Sequence, residues 1–290
     1  MSTVPTTDAV IIPHYNDLPR LERCLRALRE NDLTGTEIVV VDNASPVSLD
    51  GMRQIFPEIR FVVEPQKGAA HARNRGVAET TAPRLFFIDA DCIPAPDWLA
   101  AGRRIADRAD LIGGRVDVFD ETPPPRNGAE AFEAVFAFNF RRYIEVQGFS
   151  GAGNLLTRRD VFDAIGGFIN GVSEDREWTM RAVARGYSLI YEDGFRVSHP
   201  SRQNWPALKA KWRRTTQEGY QLNGTGPAAR LRWAIRGLAM PASAVVHTPK
   251  VLTSDKLAST GETLRAIATL IRLRCTRMVW MLRQAAGGTI

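Results

Sequence analysis

The chain has 290 residues and an ordinary globular composition, with 44% hydrophobic residues, 24% charged residues, 23 glycines and 17 prolines. These values exclude collagen-like, low-complexity and largely disordered chains. No run reaches the roughly 18 uninterrupted apolar residues of a membrane span, and the first residues lack the features of a signal peptide. Cys24, Cys92 and Cys275 are far apart, which favours a reducing compartment without disulfides. We therefore expect a cytoplasmic protein.

The net charge of +6 is unevenly distributed along the chain. Residues 201–290 contain 15 lysines and arginines and three acidic residues. Residues 1–200 contain 23 lysines and arginines and 29 acidic residues. So basic a segment favours an anionic partner. The candidates are nucleic acid, a phospholipid surface and the acidic part of the protein itself.

In the first half of the chain, short β-rich runs alternate with helical patterns. Strands are predicted at 9–13, 37–42, 59–63, 84–89 and 111–119, with helices at 18–28 and 68–80 and another after residue 98. This alternation is typical of βαβ units and predicts an α/β fold with a mostly parallel sheet flanked by helices.

In the second half, helical patterns predominate. Helices are predicted at 129–146, 158–165 and 173–185, with a loop at 148–154 and a strand at 188–191. From residue 204 onward the pattern is helical, with breaks at 224–227 and at Pro241. We therefore predict a catalytic domain over 1–225, divided into halves at 118/119, and a basic helical extension over 226–290.

Three predicted strands end in polar residues, at 13–16, 42–45 and 89–91. Parallel sheets bind ligands at the carboxyl ends of their strands, although each such residue could instead cap a helix or form a turn. Two carboxylates as close as Asp89 and Asp91 repel each other unless a cation lies between them, and a divalent ion with oxygen ligands suits that position. The glycine- and arginine-containing helix start at 68–76 suits a phosphate, but it lacks the dinucleotide and P-loop patterns.

Taken together, these motifs resemble those of a known family. The segments are VIIPHYN at 10–16, VVDNAS at 40–45, Gly68 with Ala72-Arg73-Asn74, FIDAD at 87–91, GGF at 166–168 and EDREW at 174–178. In order and spacing they resemble the family 2 glycosyltransferases of GT-A fold, over about residues 8–220. The resemblance implies an inverting, metal-dependent transfer of one sugar from a nucleotide-diphosphate sugar, most often a UDP-sugar, to a hydroxyl acceptor, as in bacterial polysaccharide or glycan assembly.

The resemblance also implies roles for individual residues. Asp175 matches the position of the catalytic base. Asp91 and His199 match the positions of the ligands of Mn²⁺ or Mg²⁺. The positions that match the donor site are Pro13, Tyr15, Asn16, Asp42, Asn43, Arg73, Asn74, Asp89 and Ala90. For the acceptor site the candidates are Trp98, Asn154, Glu174, Arg176 and Trp178. For the two tryptophans a place in the core is the alternative, since an aromatic residue in the second turn of a helix more often packs inside.

The carboxyl-terminal segment has the periodicity of an amphipathic helix. Its apolar positions are Leu264, Ile267, Ala268, Ile271, Cys275, Met278 and Leu282, with Arg265, Arg272 and Arg283 at their flank. Such a helix can lie on an anionic membrane or pack on the catalytic domain, and both alternatives stay open. The membrane alternative predicts a peripheral location on the inner face of the cell membrane and a lipid-linked acceptor, with no nucleic acid as partner.

Other functional classes fit the sequence less well. Sugar-phosphate nucleotidyltransferases carry a glycine-rich loop after the first strand, where this chain has PHYN. A processive synthase carries Gln-x-x-Arg-Trp and membrane spans, whereas this chain has QNWP at 203–206. A catalytically inactive adaptor that binds a membrane or another anionic partner would explain the basic segment, but it would not explain the retained aspartates.

Overall fold

The computed structural model describes residues 5–224 and 226–290. The chain forms two compact units, one made of Met1–Asp117 and Asn139–His199, the other of Val118–Phe138 and Pro200–Ile290. The predicted division after residue 225 is therefore not the division between compact units. The difference arises because residues 118–138 and 200–224 pack with the carboxyl-terminal helices.

The first unit contains the sheet and its flanking helices. In chain order these elements are β1 (Asp8–His14), α1 (Leu18–Leu28), β2 (Thr36–Asp42), α2 (Asp50–Ile55), β3 (Arg60–Val63), α3 (Ala69–Ala78), β4 (Arg84–Ile88), β5 (Ile93–Pro94), α4 (Trp98–Ile105) and β6 (Leu111–Phe119). After α5 (Gly128–Phe136), which belongs to the second unit, come α6 (Phe140–Glu145), β7 (Asn154–Arg158), α7 (Arg159–Ile165), α8 (Glu174–Ala184) and β8 (Leu189–Pro200).

The sheet has eight strands in the order β3-β2-β1-β4-β7-β6-β8-β5. The pairs β3–β2, β2–β1 and β1–β4 are parallel, whereas β4–β7, β7–β6 and β5–β8 are antiparallel. The predicted α/β class is confirmed, and the first four strands in this order are all paired in parallel. The apolar runs of β1, β2 and β4 are buried, as expected of strands covered on both faces, whereas the edge strand β3 is partly exposed.

Strand β7 is the main element that was not predicted, and it begins where the predicted loop at 148–154 ends. The run from Asn154 to Arg158 is short, and it becomes a strand because it pairs with β4 on one side and β6 on the other. The helix predicted at 129–146 is interrupted, since Phe138 between α5 and α6 adopts a positive φ of 50°. The short elements α2 and β5 were not predicted.

The second unit is built of α5 and four further helices, α9 (Trp205–Asn223), α10 (Pro227–Leu238), α11 (Met240–Leu252) and α12 (Thr260–Ala285). Its core includes Phe132 of α5, Leu208 of α9, Ala244 of α11 and Leu270 of α12. Because α5 and α9 contribute to this core, they belong to the same unit as the basic carboxyl-terminal helices.

Helix α12 is present as predicted, but the face that packs is not the predicted one. Its buried residues include Ala266, Leu270, Leu273 and Met281. The predicted stripe lies on the other side, where Leu264 and Ile271 are exposed. The helix is thus apolar on two sides, and periodicity alone does not show which of them packs. Among the described residues, no helix is both long and apolar enough to cross a membrane.

Candidate functional site

The carboxyl end of β2 is tied to the carboxyl end of β1 by a buried hydrogen bond between two side chains. His14 Nδ1 lies 3.1 Å from Asp42 Oδ1, and the backbone amide of Asp17 donates to His14 Nε2 at 3.1 Å. Since that amide can only donate, Nε2 accepts and Nδ1 carries the proton towards Asp42. The backbone amide and hydroxyl of Ser45 also donate to the Asp42 carboxylate. Asp42 is therefore held in one orientation at the edge of the sheet.

Tyr15 and Asn16 follow β1 at the same edge and face solvent. The Tyr15 ring is half exposed, and Lys67 Nζ lies 4.8 Å from its centre and 3.2 Å from its hydroxyl oxygen. Asn16 adopts a positive φ of 51°, and its backbone amide donates to Ser45 Oγ at 2.8 Å. Pro13 is half-buried beside Val41 of β2. An aromatic face next to an ammonium group suits a base and a phosphate.

Asn43 and Asn74 use their side chains to join segments of the backbone. Asn43 donates to the carbonyl oxygens of Glu64 and Gln66 and accepts from the amide of Gly68 at 2.7 Å. Asn74 donates to the carbonyl oxygen of Phe168 and accepts from its amide, both at 2.8 Å. The side-chain amides of both residues are thus engaged in contacts within the protein.

Arg73 of α3 connects two carboxylates that are far apart in the sequence. Its guanidinium donates to Asp89 Oδ1 at 2.7 Å and to Glu174 Oε1 at 2.9 Å. Although burial alone would lower the pKa of Arg73, the carboxylates of Asp89, Glu174 and Asp175 raise it above its ordinary value. Arg73 therefore carries its charge permanently and joins the end of β4 to the start of α8.

Asp91 and His199 meet at the other side of the β4 end. His199 Nε2 lies 3.1 Å from Asp91 Oδ2, with the imidazole almost fully buried and the carboxylate partly exposed. His199 reaches this position because β8 pairs with β5, which follows Asp91 directly. Two ligands at right angles, each about 2.1 Å from a divalent ion, are about 3 Å apart. The pair therefore fits two adjacent positions of a divalent metal.

A metal held by these two side chains would need further ligands from elsewhere. Among residues 5–224 and 226–290, no group of three or more His, Cys, Asp or Glu side chains is arranged to hold a metal ion. Mg²⁺ and similar ions are usually held by one or two protein ligands together with substrate phosphates and water. The donor set thus fits a metal that is shared with a phosphorylated substrate.

Asp175 occupies the first turn of α8 and faces the loop before β7. Its carboxylate accepts from the backbone amide of Arg176 at 2.7 Å and from that of Ala152 at 3.4 Å. Burial and the neighbouring charge of Glu174 raise its pKa, which the charge of Arg73 opposes. A Cβ atom at Gly151 would lie 3.3 Å from the carboxylate, so the glycine leaves room beside it. A carboxylate whose pKa is raised is a better proton acceptor than an ordinary carboxylate.

Arg176 follows Asp175 and brings a cation to the same region. Its guanidinium lies 4.8 Å from the centre of the Phe149 ring, and its buried Nε has no hydrogen-bond partner in the described part of the chain. Glu174, by contrast, is committed to Arg73. The positive charge of the Arg176 guanidinium is suited to an anionic or polyhydroxylated ligand.

The predictions that Trp98, Asn154 and Trp178 bind the acceptor are wrong, because the structure buries all three side chains in the core. Trp98 is fully buried and stacks on Phe195 with ring centres 5.1 Å apart. Asn154 is also fully buried: it accepts from Trp98 Nε1 at 2.9 Å and donates to the carbonyl oxygens of Arg115 and Phe195. These contacts use both N–H donors of the Asn154 amide and one of the two lone pairs of its oxygen.

Trp178 is the third of these residues. It is fully buried in the core cluster beside Phe162 and Phe168, and its Nε1 donates to the carbonyl oxygen of Gly166 at 2.7 Å. The GGF and EDREW segments therefore meet through packing. The second turn of α8 serves the core, whereas its first turn faces the site.

Small residues and a lysine complete the site, and of these Lys67 was not predicted. Lys67 has no sequence signal of its own, because its position depends on the turn after β3. Position 153 requires a glycine because Asp89 lies close to its backbone: a Cβ atom there would be 2.8 Å from Asp89 Oδ2. Gly68 has a φ of 134°, and a Cβ atom there would overlap the Asn170 amide. Ala90, which was predicted to belong to the donor site, is buried between the two aspartates.

Comparison with known proteins identifies relatives of this chain. The family model described as Glycosyl transferase family 2 matches residues 9–166. The glycosyltransferase AglE of Haloferax volcanii is 30% identical over 226 residues, which cover 73% of this chain and 72% of that protein. The pre-mycofactocin glycosyltransferase of Mycobacterium tuberculosis is 27% identical over 215 residues, 69% of this chain and 45% of that protein.

Solved structures with a similar fold include two that were determined with ligands. The mannosyltransferase PcManGT from Pyrobaculum calidifontis, in complex with GDP-Man and Mn²⁺, has a TM-score of 0.56 at 19% identity and covers 98% of this chain and 74% of its own. TarS 1-349 of S. aureus in complex with UDP-GlcNAc has a TM-score of 0.54 at 16% identity, with coverages of 93% and 73%. At these identities the similarity establishes the fold.

Proposed function

The chain belongs to glycosyltransferase family 2 and has the GT-A fold, and from that premise we propose that it transfers one sugar from a nucleotide-diphosphate sugar to a hydroxyl acceptor with inversion. The observation that carries the proposal is the convergence at the β4 end. There, Arg73 and Gly153 bring Asp89 and the first turn of α8 together.

The donor nucleotide is assigned to the open edge formed by β1 and β2. Tyr15 offers an aromatic face for the base, and Asp42 offers a fixed carboxylate for a hydroxyl or base N–H. Lys67 beside Tyr15 supplies a positive charge. PcManGT and TarS were solved with GDP-Man and UDP-GlcNAc respectively, which supports a nucleotide-sugar donor but does not choose its base. UDP-sugars are the first donors to test.

Asp91 and His199 are the residues that would hold Mn²⁺ or Mg²⁺. A divalent cation bound to them would supply a positive charge for the diphosphate as it leaves. The proposal is supported by the 3.1 Å separation of the two side chains and by the Mn²⁺ in the PcManGT complex.

Asp175 is proposed as the general base. Its carboxylate takes the proton of the acceptor hydroxyl while the hydroxyl oxygen forms a bond to the anomeric carbon. The bond from that carbon to the diphosphate oxygen breaks in the same step, and the electron pair leaves with the diphosphate. One displacement from the opposite face inverts the anomeric configuration. The raised pKa of Asp175 suits a group that must accept a proton.

The acceptor is assigned to the side of α8 that carries Glu174 and Arg176. Arg176 lies next to the base, and its guanidinium brings a positive charge to the region proposed for the acceptor. The basic residues over 201–290 support a hydroxyl acceptor that is linked to a lipid at an anionic membrane surface.

A donor-binding experiment tests the proposal. The purified protein is titrated with UDP-, GDP- and dTDP-sugars by calorimetry in Mn²⁺, in Mg²⁺ and in EDTA, beside Asp91→Asn and a control, Asp97→Asn, which precedes α4. We expect one donor class to bind in a metal-dependent manner, with the metal effect lost only in Asp91→Asn. If no nucleotide sugar binds under any condition, the proposed function is wrong.

A further inference from the structure

Helix α10 is apolar on two opposite sides. Ala229, Trp233 and Gly237 are buried, while Leu231, Ile235 and Leu238 are between 58% and 63% exposed. At 100° per residue the two sets lie about 180° apart on the helix. Single exposed leucines are common in soluble proteins, but three aligned at spacings of four and three form a continuous stripe.

Helix α12 repeats this arrangement. Its buried side carries Ala266, Leu270 and Met281. Its opposite side carries the exposed stripe, in which Leu264, Ile271 and Val279 are 62%, 48% and 58% exposed; Ala268, Cys275 and Leu282 continue the same stripe. Apolar residues therefore cover the outer side of the helix over five turns, and all of those named except Leu282 are exposed.

The two stripes lie on the same side of the helix pair. The helices run antiparallel, since Trp233 Nε1 donates to Gln284 Oε1 at 3.0 Å and Arg230 Nε donates to the carbonyl oxygen of Ala285 at 2.7 Å. Leu231 of the first stripe and Leu282 of the second line one groove of about 480 Å³ between the helices. The stripes and the groove thus form one apolar surface, here called the α10–α12 face.

Arginines border this face on both helices. Arg232 and Arg236 are exposed and lie 100° from Leu231 and Ile235, and Arg265, Arg272 and Arg283 lie about 80° to 100° from the α12 stripe. Arg230 lines the groove. An apolar centre with cationic flanks is the pattern of helices that lie in the headgroup layer of an anionic membrane, where the arginines contact phosphates while the apolar side chains enter the acyl region.

A second copy of the chain would fit the face less well. In a symmetric dimer the same patch meets itself, so the arginines of one copy would lie against those of the other. Like charges placed opposite each other in an interface are unfavourable. An anionic lipid surface, by contrast, satisfies both the apolar stripes and the arginines.

We propose that the α10–α12 face docks on an anionic lipid bilayer. This proposal deepens the proposed function, which includes an acceptor presented at a membrane. It rests on the proposed function only in what it implies for that acceptor. Docking does not require a donor or a metal, so it can be measured separately from transfer.

Vesicle flotation of the full-length protein tests the docking. Vesicles of phosphatidylcholine alone are compared with vesicles that contain about 30% phosphatidylglycerol, at low and high salt. Leu231→Gln/Ile235→Gln and Ile271→Gln/Val279→Gln change one stripe each. The control is Ile55→Gln/Val146→Gln, because both residues are also exposed but lie in the first unit. Thermal unfolding confirms that each variant is folded.

We expect the wild type to bind the anionic vesicles at least about tenfold more strongly than the neutral ones, with binding weakened by salt. Each stripe variant should lose roughly tenfold in binding, and the control should lose none. Equal binding to both vesicle types, or an equal effect of stripe and control variants, would overturn the docking. So would a wild-type dimer that the stripe substitutions dissociate without any vesicle binding. Donor binding measured on the same samples reports on the proposed function independently.

Discussion

Arg73 donates to Asp89 from inside the protein, with 2.7 Å between the guanidinium and the carboxylate and the arginine side chain only 6% exposed. The same guanidinium also reaches Glu174, so a single cation compensates two carboxylates on different elements. Removing it leaves both acids close to each other and to Asp175.

We predict that Arg73→Gln destabilises the fold by about 3 kcal/mol, because it leaves partly buried carboxylates without their counter-charge. Arg75→Gln is the control: Arg75 lies on the same helix but is exposed, where it pairs with Glu79, and its loss should cost less than about 1 kcal/mol. Chemical denaturation measures both. Similar losses for the two variants would show that Arg73 does not have this role.

His199 is expected to act as a metal ligand rather than as a support for the sheet. We predict that His199→Gln raises the Mn²⁺ concentration for half-maximal donor binding by about tenfold or more, since one of two protein ligands is lost. His71→Gln, on α3, serves as the control and should leave the Mn²⁺ requirement unchanged. The measurement is donor binding as a function of Mn²⁺. An unchanged Mn²⁺ dependence in His199→Gln would remove His199 from the metal site.

The pH dependence of transfer should reflect the raised pKa of Asp175. Burial raises this pKa, the charge of Glu174 adds to the effect, and Arg73 opposes it. A general base acts only when deprotonated, so activity is present above the pKa and is lost as the pH falls through it. We predict that kcat/KM falls at a pH above the ordinary carboxyl value of about 4. The check is a pH profile of initial rates. An acid limb below that value would contradict the assignment.

Asn154 is expected to matter for folding and not for substrate binding. Its amide satisfies Trp98 Nε1 and two carbonyl oxygens inside the protein. Asn154→Ala should therefore lower the free energy of unfolding by about 2 to 4 kcal/mol, with the affinities for donor and acceptor unchanged in the folded protein. Denaturation and binding measured side by side decide this. A specific loss of acceptor affinity with unchanged stability would restore the role that the sequence suggested.

Features that depend on local pattern could be predicted from the sequence. The strands β1, β2 and β4 have apolar runs long enough to recognise, and the polar residues that follow them do meet at one edge. Asp42 accordingly ends β2, and Asp89 and Asp91 follow the end of β4.

Features that depend on long-range pairing could not be predicted in this way. The strand β7 exists only because β4 and β6 lie on either side of it. Trp98, Trp178 and Asn154 have the same local signals as binding residues, and only the tertiary packing shows that they are buried. In α12 two apolar faces compete, and the partner helices determine which one packs.

The most direct test of the central claim is the separation of binding from turnover in Asp175→Asn. Glu177→Gln is the matched control, because Glu177 lies in the same turn of α8 but pairs with Arg181. Donor affinity is measured by calorimetry, and transfer or donor hydrolysis is measured by nucleoside diphosphate release. We predict that Asp175→Asn binds the donor within about threefold of the wild type while its turnover falls by about 10²-fold to 10⁴-fold, with the control close to wild type. Turnover retained in Asp175→Asn, or lost equally in both variants, would contradict the assignment of Asp175 as the base.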